Sequence, residues 1–100
     1  MSILLIGGDR LGNITKKLKE SGFNKIEHIS GRKSGDRKIK IPEKTDLVLI
    51  FVDFVEHKLT EIVKEQIKRS DMKVAFTKRS WAHMETVIKQ CVVEIENSKQ

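Results

Sequence analysis

Apolar residues recur along the chain in two rhythms: continuous or alternating runs that mark strands, and a three-to-four-residue spacing that marks helices. Ser2 to Ile6 is an unbroken aliphatic run that stops at Gly7-Gly8, as a strand buried on both faces does. From Arg10 the rhythm changes. Leu11, Ile14 and Leu18 fall on one helical face among polar Thr15, Lys16, Lys17, Lys19 and Glu20, and Gly22 stops the segment as a C-terminal cap. Phe23 to Ser30 (FNKIEHIS) alternates enough for a second strand. Asp46 to Val52 (DLVLIFV) carries the strongest strand signal, central and fully buried, and ends at Asp53. His57 to Arg69 places Leu59, Ile62, Val63 and Ile67 on one helical face. After the turn Ser70-Asp71-Met72, Lys73 to Thr77 (KVAFT) is a fourth strand. Ser80 to Ile95 closes the pattern as a long helix with Trp81, Met84, Val87, Ile88, Cys91, Val92 and Ile95 on one stripe and Ser80 as its N-cap.

Strands that alternate with helices predict an α/β fold with a parallel sheet and right-handed crossovers. The expected architecture is a three-layer sandwich around a four-stranded, mainly parallel sheet of order 2-1-3-4. One domain spans 1–97, with 98–100 as a tail. Gly31 to Thr45 reads as a long surface loop, with an extended piece at Lys38 to Ile41.

Composition narrows the class. One hundred residues with 38% apolar content suffice for one core, and 34% charged residues of both signs describe a well-solvated surface. The net charge of +6 favours anionic partners: a phosphorylated small molecule or nucleic acid. A single cysteine, Cys91, excludes an intrachain disulfide, and its place on the apolar stripe makes it a buried structural thiol. The start of the chain has no basic leader, and the longest apolar run, Leu47 to Val52, is too short to span a bilayer. A cytoplasmic location without a membrane partner is therefore expected. The last helix, with Trp81 and Met84, is the candidate surface for a homodimer.

Open parallel sheets bind ligands outside the carboxyl ends of their strands. The residues that follow the four strands are Gly7, Gly8, Asp9 and Arg10; Gly31, Arg32 and Lys33; Asp53, Glu56 and His57; and Lys78, Arg79 and Ser80. Three of these groups carry cations. Helix N-termini near Leu11, His57 and Ser80 would add backbone N–H donors at the same edge. With Gly12 and Asn13 from the first connection, these residues form a candidate anion site.

Several chemistries compete for it. A dinucleotide fingerprint wants glycine at its first, third and sixth positions; Gly7 and Gly12 fit, but Asp9 stands third, where a carboxylate repels a pyrophosphate. A tight turn in which Gly12 permits close helix–strand packing accounts for the same letters. Asp9, Asp53 and Lys78 also match the layout of a phospho-accepting receiver, in which two acids bind Mg²⁺ and Asp53 takes the phosphoryl group. Asp53 and His57, four apart, are weak metal candidates. No Ser-His-Asp order supports a nucleophile, and no motif identifies a cofactor. Trp81 could stack a base, but its place on the apolar stripe favours packing. The basic segment Gly31 to Lys44 is the contact expected for nucleic acid, though no aromatic residue interleaves it.

The segments GGDRLGNI, TDLVLIFVDFVEHKLTEIVKEQIK and KVAFTKRSW resemble a small bacterial family, domain-of-unknown-function family 2325 (DUF2325). The most specific part of the resemblance is Asp-x-x-x-His after a hydrophobic strand, here Asp53 to His57, followed by Lys78-Arg79-Ser80. Many relatives read Asp-Cys-Val-Ser-His where this chain has Asp53-Phe54-Val55-Glu56-His57, so it has no thiol there for a metal or haem. The resemblance implies a Rossmann-like fold and no established activity. The function expected from these residues is a non-catalytic binding or regulatory module for a phosphate-bearing ligand.

Overall fold

The computed structural model describes residues 1–8, 11–29, 41, 44–52, 57–68, 72–78 and 80–98; of 57–59 it describes the backbone alone. The element order is β1 (Ser2–Ile6), α1 (Ile14–Glu20), β2 (Lys25–Ile29), β3 (Leu47–Phe51), α2 (His57–Lys68), β4 (Lys73–Thr77) and α3 (Trp81–Ser98). All three strand pairings are parallel and the sheet order is β2-β1-β3-β4, as the alternation predicted. Loop residues 31–40, 42 and 43 lie outside the description.

Strand periodicity splits the core between the two faces of this sheet. On one face Ile3, Leu5, Leu47, Leu49, Phe51 and Ala75 pack against Ile14 and Leu18 of α1 and Met84, Ile88, Cys91 and Ile95 of α3. On the other, Leu4, Ile6, Val48 and Ile50 meet Val63 and Ile67 of α2. This three-layer arrangement is consistent with a Rossmann-like sandwich. β3, flanked by strands on both sides and by helices on both faces, is buried at all five positions, which is why its sequence runs apolar without alternation. Cys91 is buried, and burial pushes its thiol above the ordinary value, so it is an inert packing group.

Three local features differ in detail from the sequence reading. The first helix starts at Ile14, not near Leu11, because Gly12 takes φ +55 and Asn13 stands as the N-cap without a side-chain bond. Among the described residues, apart from Gly12 and its two chain neighbours, no heavy atom lies within 4 Å of where a Cβ on Gly12 would stand. Glycine there serves the turn's left-handed conformation and not close packing. Finally, Phe23 is not in the second strand; it is fully buried at the close of α1.

The amino edge of the sheet is tied by reciprocal bonds. Ser2 N donates to Asp46 Oδ2 at 2.8 Å, while Asp46 N donates to Ser2 O and Oγ, each at 3.2 Å. This pairing pins β1 to the approach to β3.

Candidate functional site

Because every pairing is parallel, the four strands end at one edge. β1 and β3 are neighbours there, yet the chain leaves β1 for α1 on one face, and α2, which follows β3, lies on the other. That divergence makes a topological switch point, the place where open α/β sheets leave a crevice.

At the end of β1, Gly7 and Gly8 are both buried, with φ +112 and +77. Gly7 N donates to Ile29 O at 2.8 Å, carrying the β1–β2 ladder one residue further. His28 Nε2 lies 2.9 Å from Gly7 O. A carbonyl only accepts, so the imidazole proton sits on Nε2. Both backbone groups of Gly7 are thus engaged within the protein.

The opposite side of the edge is built by β3, β4 and α3. Val52 follows β3 and is 47% exposed; Phe76, on the edge strand β4, is 38% exposed. Thr77 is buried and its hydroxyl donates to Lys78 O at 3.1 Å. Lys78 is exposed and makes no ion pair among the described residues. Ser80 occupies the cap position of α3, its carbonyl accepting the N–H of His83 at 3.0 Å and of Met84 at 2.9 Å. A groove of about 470 Å³ runs between this end of β4 and the first turns of α3, which line it with Ala82, His83, Thr86 and Val87.

Trp81, at the start of α3, is half-buried in the core, and Lys17 Nζ stands 5.0 Å from its ring centroid. Glu85 follows one turn on. Its carboxyl lies below the usual range, first because Lys89 Nζ bonds it at 2.9 Å and then because Trp81 does. With Lys17 over the ring and Glu85 at its edge, Trp81 is a packing residue, as its place on the stripe predicted.

Of the residues singled out from sequence, Gly7, Gly8, Lys78 and Ser80 stand at the strand-exit edge, and Gly12 and Asn13 lie exposed in the turn leading to α1. Asp9, Arg10, Gly31, Arg32, Lys33, Asp53, Glu56 and Arg79 lie outside the described residues, as does the side chain of His57, whose backbone opens α2. The receiver-like and nucleic-acid readings rest chiefly on those residues. Among the described residues no three His, Cys, Asp or Glu gather as a metal site. Nor is any helix of the described residues long and apolar enough to cross a membrane. Sequence spacing did not select His28, although a histidine late in an otherwise alternating strand was its signal. It also passed over the groove, whose walls come from three elements.

A family model described as an uncharacterized protein conserved in bacteria (DUF2325) matches residues 2–91. No curated protein and no solved structure matches the chain.

Proposed function

On the premise that this chain belongs to the DUF2325 family of bacterial proteins, which the match over residues 2–91 establishes, we propose that it is a binding or regulatory module. Its ligand is phosphate-bearing and nucleotide-like, held at the carboxyl edge of the sheet without a reaction being catalysed on it. The observation that carries this reading is the switch point between β1 and β3 in a parallel sheet of order β2-β1-β3-β4, the position at which such sheets open a crevice. Charge supports it. Lys78 is an exposed ammonium at that edge with no ion pair among the described residues. In the sequence Arg10, Arg32, Lys33 and Arg79 follow within four residues of a strand end. The first amides of α3, which begins just after this edge, lack intrahelical acceptors and favour an anion. Gly7 and Gly8 keep the exit of β1 free of side chains, and Asp53 and His57 would orient the ligand or a divalent ion.

Thermal shift against a panel of nucleotides, sugar phosphates and inorganic phosphate tests the reading. A ligand at about a hundred times its Kd stabilises by about 2.7 kcal/mol, which is readily visible in the Tm of a domain this small. The paired substitution Lys78→Ala with Arg79→Ala is expected to remove most of that gain. If no phosphorylated compound raises the Tm of the unsubstituted chain, the reading fails.

A further inference from the structure

Three cavities of distinct chemistry open among the described residues. One of about 280 Å³ at the amino edge of the sheet is lined in part by Glu27 and Asp46. Another of about 520 Å³, between α1 and α3, carries Glu20 and Glu85. Among the described residues, the groove beside β4, about 470 Å³, has no carboxylate in its lining. Its polar groups are one ammonium (Lys78), one imidazole (His83) and two threonine hydroxyls, and the remaining lining is apolar. An anionic ligand meets no opposing charge among these residues, which is not true of the other two.

The apolar part of this lining is also unusual for the molecule. Val52, Phe76 and Val93 are the exposed large hydrophobics among the described residues, and two of the three stand in this one groove. Isolated exposed apolar side chains need no explanation, but two brought together from just beyond β3 and from β4, beside a cation, form a patch that a ligand can cover. Lys64 Nζ lies 5.1 Å from the centroid of the Phe76 ring, so a second ammonium stands close by on the α2 side. The volume falls in the range of small-molecule sites, about 300–1,000 Å³, which typically pair apolar walls with a few convergent polar groups.

We propose that this groove receives an aromatic ring, so that the ligand of the strand-exit edge is an aromatic phosphate of the nucleotide class and not a sugar phosphate or inorganic phosphate. The proposal rests on the phosphate reading above and specifies the rest of the ligand. The ring lies against Phe76, Val52 and Val87, its heteroatoms meet Thr86 and His83, and its phosphate reaches Lys78. A sugar phosphate gains the same charge contact but leaves Phe76 and Val52 in water.

Calorimetric titration of the full chain with AMP, ribose 5-phosphate and adenosine separates the two claims. AMP is expected to bind at least about tenfold more tightly than ribose 5-phosphate, a difference of about 1.4 kcal/mol. Phe76→Ala and Val87→Ser should bring AMP down to the level of ribose 5-phosphate without changing the latter, and Lys78→Ala should weaken both. Far-UV circular dichroism checks each variant; if Val87→Ser does not fold, Phe76→Ala, at an exposed edge position, carries the test. Equal affinity for AMP and ribose 5-phosphate in the unsubstituted chain overturns the groove assignment and leaves the phosphate reading standing. Equal affinity for AMP and adenosine, unaffected by Lys78→Ala, overturns the phosphate reading and leaves the ring site. Failure of all three compounds to bind overturns both.

Discussion

Gly22 ends α1 with φ +108, and its N–H donates to Lys19 O at 3.2 Å while Phe23 N–H donates to Leu18 O at 3.1 Å. These two bonds are the Schellman pair, and the apolar contact that accompanies the motif is present, since Phe23 and Leu18 are both fully buried in one cluster. A left-handed backbone is available to glycine without the Cβ–carbonyl clash that other residues suffer, about 1–2 kcal/mol. Gly22→Ala is therefore expected to lower stability by about that amount, read as a drop in the urea midpoint with unchanged slope. The cap was legible because a glycine after an apolar helical spacing has one strong structural meaning. Gly12 was less so. A glycine near a helix start is compatible with close packing or with a left-handed turn, and only the open space around it selects the second.

At the scale of elements, the longest apolar stripe was read correctly: Met84, Ile88, Cys91 and Ile95 are buried, and Val93, off the stripe, is 53% exposed. A 3.6-residue period over 18 residues leaves little ambiguity about which face is inward. The pairing of α3 with β4 was not legible, because it depends on which strand the helix lies across. Lys73 of β4 pairs with Glu94 of α3, and Gln90 Nε2 also donates to Glu94, at 3.1 Å. The bond from Lys73, and after it that from Gln90, holds the Glu94 carboxyl below its ordinary value of 4.5, and the same pair holds Lys73 above 10.5. A depressed carboxyl contributes stability that is present above its unfolded value and is lost as pH falls through the folded one. A raised lysine contributes stability present below its unfolded value and lost as pH rises through the folded one. Glu94→Gln should thus lower the Tm by a small, constant amount between those two ordinary values. The difference should vanish below the depressed carboxyl value. Both side chains are about 40% exposed, so solvent and salt keep the effect small. A Tm-versus-pH profile of the two proteins checks it.

For the whole molecule, the parallel sheet places all four strand ends at one edge, and the net charge is positive. The chain is +6 over 100 residues, and among the described residues Lys78 stands exposed at the strand-exit edge. An anion held there by exposed cations responds to ionic strength. Between about 0.01 and 0.15 M salt the Debye length falls from about 30 to about 8 Å. The Tm gain given by a bound phosphate is therefore expected to shrink across that range, whereas the contribution of a ring in the Phe76 groove should not. Adenosine and AMP titrated at the two salt concentrations distinguish these contributions. A salt-independent AMP affinity would mean that the cations take no part.

The chain's own pattern of apolar residues was sufficient for the element order, for burial of β3 on both faces and for the parallel sheet, because strand and helix periods are local properties and alternation forces crossovers. It was also sufficient to place the ends of all four strands at one edge. It did not reveal the His28–Gly7 bond, the Lys73–Glu94 pair or the groove formed by Val52, Phe76 and α3. Each of these joins residues brought together only by the stacking of one element on another. Such contacts are set by register and by the face on which each helix lies, and neither is written in the spacing of residues along any one segment.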